Sequence, residues 1–104
     1  MSLSPTALTL RELRKDGWTA EVVEHWVPGA NVRRDLFGVI DVLALRDDTI
    51  LGVQATSANN VSSRIHKIAD HPNLPAIRKA GIRLEVHGWA KKDHRWVCRI
   101  VDIS

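Results

Sequence analysis

Residues Arg33 to Ser57 read RRDLFGVIDVLALRDDTILGVQATS. One carboxylate, Asp41, lies inside an apolar run, and a polar triplet, Gln54-Ala55-Thr56, closes a second apolar run thirteen residues later. Burying an unpaired carboxylate is costly, so an Asp between Val39-Ile40 and Val42-Leu43 requires hydrogen-bond donors or a metal ion beside it. Leu36 to Leu45 and Thr49 to Thr56 read as two strands joined by the polar turn Arg46-Asp47-Asp48. Their continuous apolar character predicts strands covered on both faces by helices. Alternation along a strand sets Gln54 and Thr56 on one face, so two adjacent strands aim Asp41, Gln54 and Thr56 at a common point.

Working outward, Ser4-Pro5 supplies a cap and a first helical residue, and Ala7, Leu10 and Leu13 recur at helical spacing until Gly17. Trp18 to Trp26 reads as a strand broken by Pro28-Gly29. Asn60 caps a second helix whose stripe is Val61, Ile65 and Ile68, with Ser63, His66, Lys67 and Asp70 opposite. A short third helix, capped by Asn73 and stopped by Gly81, leads into a strand over Ile82 to Val86, with His87-Gly88-Trp89 ending it. The last strand, Arg95 to Ile103, sets Trp96, Cys98 and Ile100 against Arg95, Val97 and Arg99. The order αβββααββ predicts one domain over residues 1–104, a three-layer α/β/α sandwich on a mixed sheet.

At 104 residues the chain suffices for one modest core. Its 44% hydrophobic and 26% charged residues describe a globular protein, not a disordered one. No apolar run has the length of a membrane span and no signal segment is evident, so no membrane partner and a cytoplasmic location are expected. The single Cys98 forms no internal disulfide and reads as a small buried hydrophobe. The net charge of +3 suits an acidic partner, and the basic residues are placed to matter. Arg33 and Arg34 precede the Asp41 strand, Arg64 and Lys67 lie on the following helix, and Lys91 and Lys92 follow His87-Gly88-Trp89. Sharing one face, they would make a DNA phosphate-binding rim, with Trp89 able to stack on a base. The five histidines show no zinc spacing, and no Ser-His-Asp, Gly-rich phosphate loop or paired-Cys motif is present.

The element order and the placing of Asp41 and Gln54-Ala55-Thr56 resemble the PD-(D/E)xK nuclease superfamily, in its small branch related to archaeal Holliday-junction resolvases. Asp41 stands where the family's Asp stands, and Gln54-Ala55-Thr56 stands where Glu-x-Lys would be. The chain is similar, more narrowly, to small phage and bacterial proteins sharing DLFG-x-x-D-x-L-A, VQ-x-T-S and HGW segments, in which Gln-x-Thr is the ordinary form. The resemblance spans about Leu10 to Trp89. It implies a restriction-endonuclease-like fold, Mg²⁺ or Mn²⁺ as cofactor, DNA as partner, homodimers, and metal-dependent phosphodiester hydrolysis of the endonuclease or resolvase type.

In that reading Asp41 is the principal metal ligand and Gln54 an auxiliary one, a neutral oxygen that holds a hard cation more weakly than Glu. Thr56 donates a hydrogen bond without cationic charge, and Lys67 is the candidate for a relocated catalytic lysine. The bland readings stand beside it. Asp41 as a member of a structural network, Asp35 as charge compensation for Arg33-Arg34, Glu24 as an exposed edge residue, Lys67 as solvated and Trp89 as core or oligomer contact are each open, while Trp18, Trp26 and Trp96 read as core. The rival function is a catalytically inactive member of the same fold that binds DNA or protein; a third is a structural or oligomer-forming module.

Overall fold

A computed structural model describes residues 3–104. It contains helix α1 (Pro5–Lys15), strands β1 (Thr19–Val22), β2 (His25–Val27), β3 (Val32–Arg34), β4 (Val42–Arg46) and β5 (Thr49–Ser57). Helices α2 (Val61–Ala69) and α3 (Leu74–Lys79) follow, then strands β6 (Arg83–Lys92) and β7 (Arg95–Asp102). Ser4 starts α1 by accepting from the Ala7 amide at 3.1 Å, and Pro5, with no amide to satisfy, occupies the first turn. Arg46 pairs with Thr49, so Asp47-Asp48 alone turns β4 into β5, with Asp47 in the left-handed region.

The main sheet runs β1-β4-β5-β6-β7, and β2-β3 forms a separate hairpin. Only β5 and β6 are parallel, and the crossover between them carries α2 and α3. On one face Leu51 and Val53 pack with Val42, Ala44, Ala20 and Leu13 of α1. On the other, Leu84 and Val86 pack with Val39, Ile40, Val61 and Ile68 of α2 and Leu74 and Ile77 of α3. Burial on both faces explains why β5 reads as a continuous apolar run. The chain is thus an α/β protein with a mixed five-strand sheet and three helices, and none of its described helices is long and apolar enough to cross a membrane.

Four local expectations are corrected. The segment from Trp18 to Trp26 is two strands: β1 pairs with β4, then the chain leaves the sheet and β2 pairs with β3, leaving Trp26 54% exposed and outside the core. Leu36 to Leu45 is a strand only from Val42 onward. Before it the backbone folds on itself, with the Leu36 amide donating to Ile40 at 2.9 Å and Phe37 and Gly38 both in the left-handed region. The strand begun at Ile82 continues to Lys92, so His87-Gly88-Trp89 is mid-strand and not a turn, paired to β5 on one side and β7 on the other. Finally α1 packs only loosely beside β7, with Glu12 and Asp16 across a cavity from it, so Trp96 stays 36% and Ile100 56% exposed and neither belongs to the core.

Gly88 sets how closely α2 approaches the sheet. A Cβ there would collide with Val61 Cγ2 and lie 3.2 Å from the Ala58 backbone. Gly88→Ala is expected to destabilise the fold by about 1–3 kcal/mol, the usual result of overpacking a filled interface. Urea denaturation followed by circular dichroism measures it; an unchanged midpoint would mean that α2 is not held against β6 in this way.

Candidate functional site

Asp41 immediately precedes β4, and its main chain still takes part in the ladder: its amide donates to Val53 at 2.9 Å and its carbonyl accepts from Val23 at 2.8 Å. Its side chain turns toward β5, where Oδ2 accepts from the Ala55 amide at 2.9 Å. A carboxylate there therefore supplies the acceptor that the β4 backbone no longer offers. Because Val42 and Val53 face α1, Asp41 and Gln54 share the α2 face, next to each other on adjacent strands.

Two further acids meet Asp41. Glu24 follows β1, Asp35 begins the turn that precedes β4, and one carboxylate oxygen from each of Glu24, Asp35 and Asp41 lies within 4.8 Å of the others. The turn bearing Asp35 is pinned from the other side of the crossover: the Asn73 side-chain amide donates to the Phe37 carbonyl at 2.9 Å. Gly38, at φ +75°, sits so close to the His71 ring that a Cβ would collide with Nε2. His71 is held in turn by accepting from the Asn73 amide at 3.1 Å.

Gln54 links the acids to a base. Its amide nitrogen donates to Asp35 Oδ2 at 3.1 Å and to the Val39 carbonyl, while its oxygen accepts from Arg64 of α2 at 3.1 Å. The orientation is forced, since both neighbours of the nitrogen are acceptors and the neighbour of the oxygen is a donor. The amide oxygen expected to act as an auxiliary metal ligand is thus turned to a guanidinium, and the side acting on the acids is an N–H.

Asp41 is 5% exposed. Burial, reinforced by its hydrogen bond with Asp35 and by the charges of Asp35 and Glu24, pushes its carboxyl up to about 8, against the opposing pull of the Ala55 amide. Three acids held together with Gln54 as a neutral donor leave negative charge that the fold compensates only in part. Arg33 approaches Glu24 at 3.5 Å on the exposed side.

The other expected residues divide. Arg33, Arg34 and Lys67 line one shallow cavity of about 240 Å³ together with Asp35 and Gly38, which brings these three bases to one of the acids. Arg64 is engaged by Gln54. Thr56 is buried on the α2 face and makes no hydrogen bond to the acids among the described residues. Lys91 and Lys92 end β6, with Lys91 about 17 Å along the strand from Val86, the partner of Gln54. Lys91 instead lies over the Trp96 ring at 5.4 Å. Trp89 is 7% exposed and its indole N–H donates to Thr9 at 2.9 Å, so it belongs to the core and offers no face for a base.

Sequence alone makes Glu24 an edge residue and Asp35 a local counter-charge. The signal that brings Asp35 in is Phe37-Gly38, a turn inside an apolar stretch. Nothing local marks Glu24. No protein-family model, curated protein or solved structure matches the chain.

The raised Asp41 carboxyl has a signed consequence. A group whose folded pKa lies above its unfolded value of 3.8 stabilises the fold fully below pH 4, and that contribution is lost as pH climbs toward 8. Metal-free protein is expected to lose on the order of a few kcal/mol between pH 4 and 8 from this group. Asp41→Asn keeps an oxygen for the Ala55 amide and a donor for Asp35, so its stability should be flatter over that window and should exceed wild type at pH 8. Chemical denaturation across pH measures both; parallel profiles for the two proteins would remove Asp41 as the source.

Proposed function

We propose that the chain is a nuclease-like DNA-binding domain of the PD-(D/E)xK type, with a restriction-endonuclease-like three-layer arrangement, acting on phosphodiesters with Mg²⁺ or Mn²⁺. The observation that carries this reading is the convergence of Glu24, Asp35 and Asp41 beside a cavity lined by Arg33, Arg34 and Lys67. Oxygen ligands on one Mg²⁺, each about 2.0–2.1 Å from it, lie at most about 4.2 Å apart; the three carboxylates, within 4.8 Å of one another, need only a small inward side-chain shift to share an ion. They also carry the excess negative charge that a divalent cation would neutralise.

Asp41, Asp35 and Glu24 hold the ion in this scheme. When bound, it supplies a Lewis acid for a phosphoryl oxygen and lowers the pKa of a water. The chain's own residues do the rest. Gln54 fixes the Asp35 carboxylate, and Arg64 fixes Gln54, so their role is positioning. Arg33, Arg34 and Lys67 face a phosphodiester from the open side, and Lys67, which lines the cavity with Asp35 and whose side chain has no described hydrogen-bond partner, is the one suited to charge developing at the scissile phosphate.

A second reading is favoured by one specific feature. Gln54 brings no negative charge, its oxygen is occupied by Arg64, and Thr56 is buried, which suits a domain that retains DNA binding and has lost cleavage. The deciding experiment is a nicking assay on branched and linear DNA with Mg²⁺ or Mn²⁺, with Asp41→Ala as control. The nuclease reading expects slow nicking that needs millimolar metal and disappears in Asp41→Ala. Binding without nicking by the wild type decides for the inactive domain.

Metal occupancy is read separately from cleavage. Mn²⁺ should raise the melting temperature of the wild type more at pH 8 than at pH 6, because ligation requires Asp41 to release its proton. Asp41→Ala should show no such gain, and an equal gain in both proteins would place the metal elsewhere.

DNA binding carries its own number. With Arg33, Arg34 and Lys67 as the phosphate contacts, log affinity should fall against log salt with a slope of about −3. Arg34→Ala and Lys67→Ala should each reduce that slope by about 1, while Lys91→Ala should leave it unchanged. Fluorescence anisotropy at several salt concentrations gives the slope; a flat response would point to a protein partner.

A further inference from the structure

The two edges of the main sheet are treated differently. At β1 the edge is only Thr19–Val22, and Arg14 folds over it, donating Nε and NH2 to the Ala20 carbonyl at 3.2 and 2.9 Å. At β7 the edge runs from Arg95 to Asp102 with no proline and an unbroken register against β6, and no described side chain bonds to its outer backbone. Native sheets usually blunt such an edge by shortness, bulges, proline or cover. This one has none of these devices.

The hydrogen-bond alternation tells which groups face out. The Ile103 amide donates to the Leu84 carbonyl at 2.9 Å, and with the constant antiparallel register the odd residues of β7 bond to β6. Trp96, Cys98, Ile100 and Asp102 therefore direct their N–H and C=O groups to the open edge. The same even residues put their side chains on the α1 face, where α1 covers them only in part and Trp96 and Ile100 stay 36% and 56% exposed. A cavity of about 290 Å³ runs beside this stripe, lined by Trp96, Cys98 and Ile100 together with Glu12 and Asp16.

We propose that β7 pairs antiparallel with β7 of a second copy of this chain, about a two-fold axis through Cys98, joining two five-strand sheets into one. A two-fold axis normal to the sheet keeps each face continuous, so only registers that pair even residues with even residues are allowed. Centring on Val97 sets Arg95 against Arg99, and centring on Arg99 sets that residue against its own copy, both of which oppose like charges. Centring on Ile100 shortens the overlap and leaves Trp96 beyond the partner strand. The Cys98 register avoids all three faults. It pairs Trp96 with Ile100 of the other copy twice, and it joins the two apolar stripes on the α1 face. Both acid clusters then lie on the opposite face of one ten-strand sheet. The pairing itself does not depend on their holding a metal.

Sedimentation equilibrium of the full chain should give twice the 11.7 kDa chain mass. A short bismaleimide should link the two Cys98 thiols, whose Cα atoms this register sets about 5.5 Å apart. Trp96→Glu, which stays beside Lys91 within its own chain, should weaken dimerisation at least about tenfold by setting a carboxylate against Ile100. Adding Ile100→Lys should restore it, since the introduced carboxylate of one copy then opposes the introduced ammonium of the other across the axis; registers centred elsewhere oppose other residues and give no rescue. Thermal unfolding of each variant, followed in parallel, keeps lost folding from being read as lost pairing. A wild type that sediments as a monomer overturns the proposal, as does a dimer that neither crosslinks at Cys98 nor responds to these substitutions.

Discussion

Where β4 gives out, the Ala55 amide of the central strand would face a gap, and the Asp41 carboxylate fills it at 2.9 Å. This one contact ties together requirements that pull in opposite directions. The amide is buried and must be satisfied, so an acceptor is obligatory. The acceptor is a carboxylate, whose own burial beside Asp35 and Glu24 is unfavourable when charged. The fold therefore holds its central ladder together with a group that it strains electrostatically. With its carboxyl raised to about 8, Asp41 meets that demand near neutral pH largely in its protonated form, through the oxygen that accepts from Ala55.

The rest of the molecule can be read as the means of keeping that carboxylate in place. Both faces of β5 are covered, by α1 on Leu51 and Val53 and by α2 across from Gln54, so Asp41 beside it stays buried. That turn depends on the crossover between helices, because His71 and Asn73 grip Phe37 and Gly38. Gly88 lets the start of α2 settle on β6, and α2 brings Arg64 to Gln54. Sheet, crossover and turn thus converge on the same few atoms from three directions.

Much of this is legible in the chain, and the failures share one cause. The runs around Val42 to Leu45 and Ile50 to Thr56 announce their strands because burial on both faces leaves no polar alternation to mislead. The placing of Asp41 beside Gln54 follows from alternation together with the short turn that joins the two runs and sets their register. In contrast, Leu36, Phe37, Val39 and Ile40 are as apolar as a strand, and only Gly38 hints that they fold back; Leu36, Val39 and Ile40 serve packing against α2 and α3 instead, while Phe37 stays exposed. Glu24 reaches the site because β1 lies against β4 and its continuation is tied to Asp41 by the Val23 amide, a contact with no trace in local pattern. For Trp96 and Ile100 the alternation holds, yet whether a face is buried depends on how far α1 extends across the sheet. Trp89 shows the reverse: beside a glycine and near two lysines it has the company of a nucleic-acid contact, while the Thr9 hydroxyl on α1 draws it into the core.

A glutamine at position 54 makes physical sense within this arrangement. With Asp41 already pushed up to about 8, a fourth carboxylate at position 54 would add repulsion where burial leaves little solvent to screen it. Glutamine occupies the same space and gives the cluster two N–H donors, one to Asp35 and one to the Val39 carbonyl, which a glutamate could not supply. It also passes an oxygen to Arg64, whose charge acts on the acids through an intervening amide. The charge on the acids is thereby offset by donors of the fold itself. A carboxylate at position 54 would leave Asp35 and the Val39 carbonyl without their donor; Gln54 lets the three acids sit together on the fold's own hydrogen bonds.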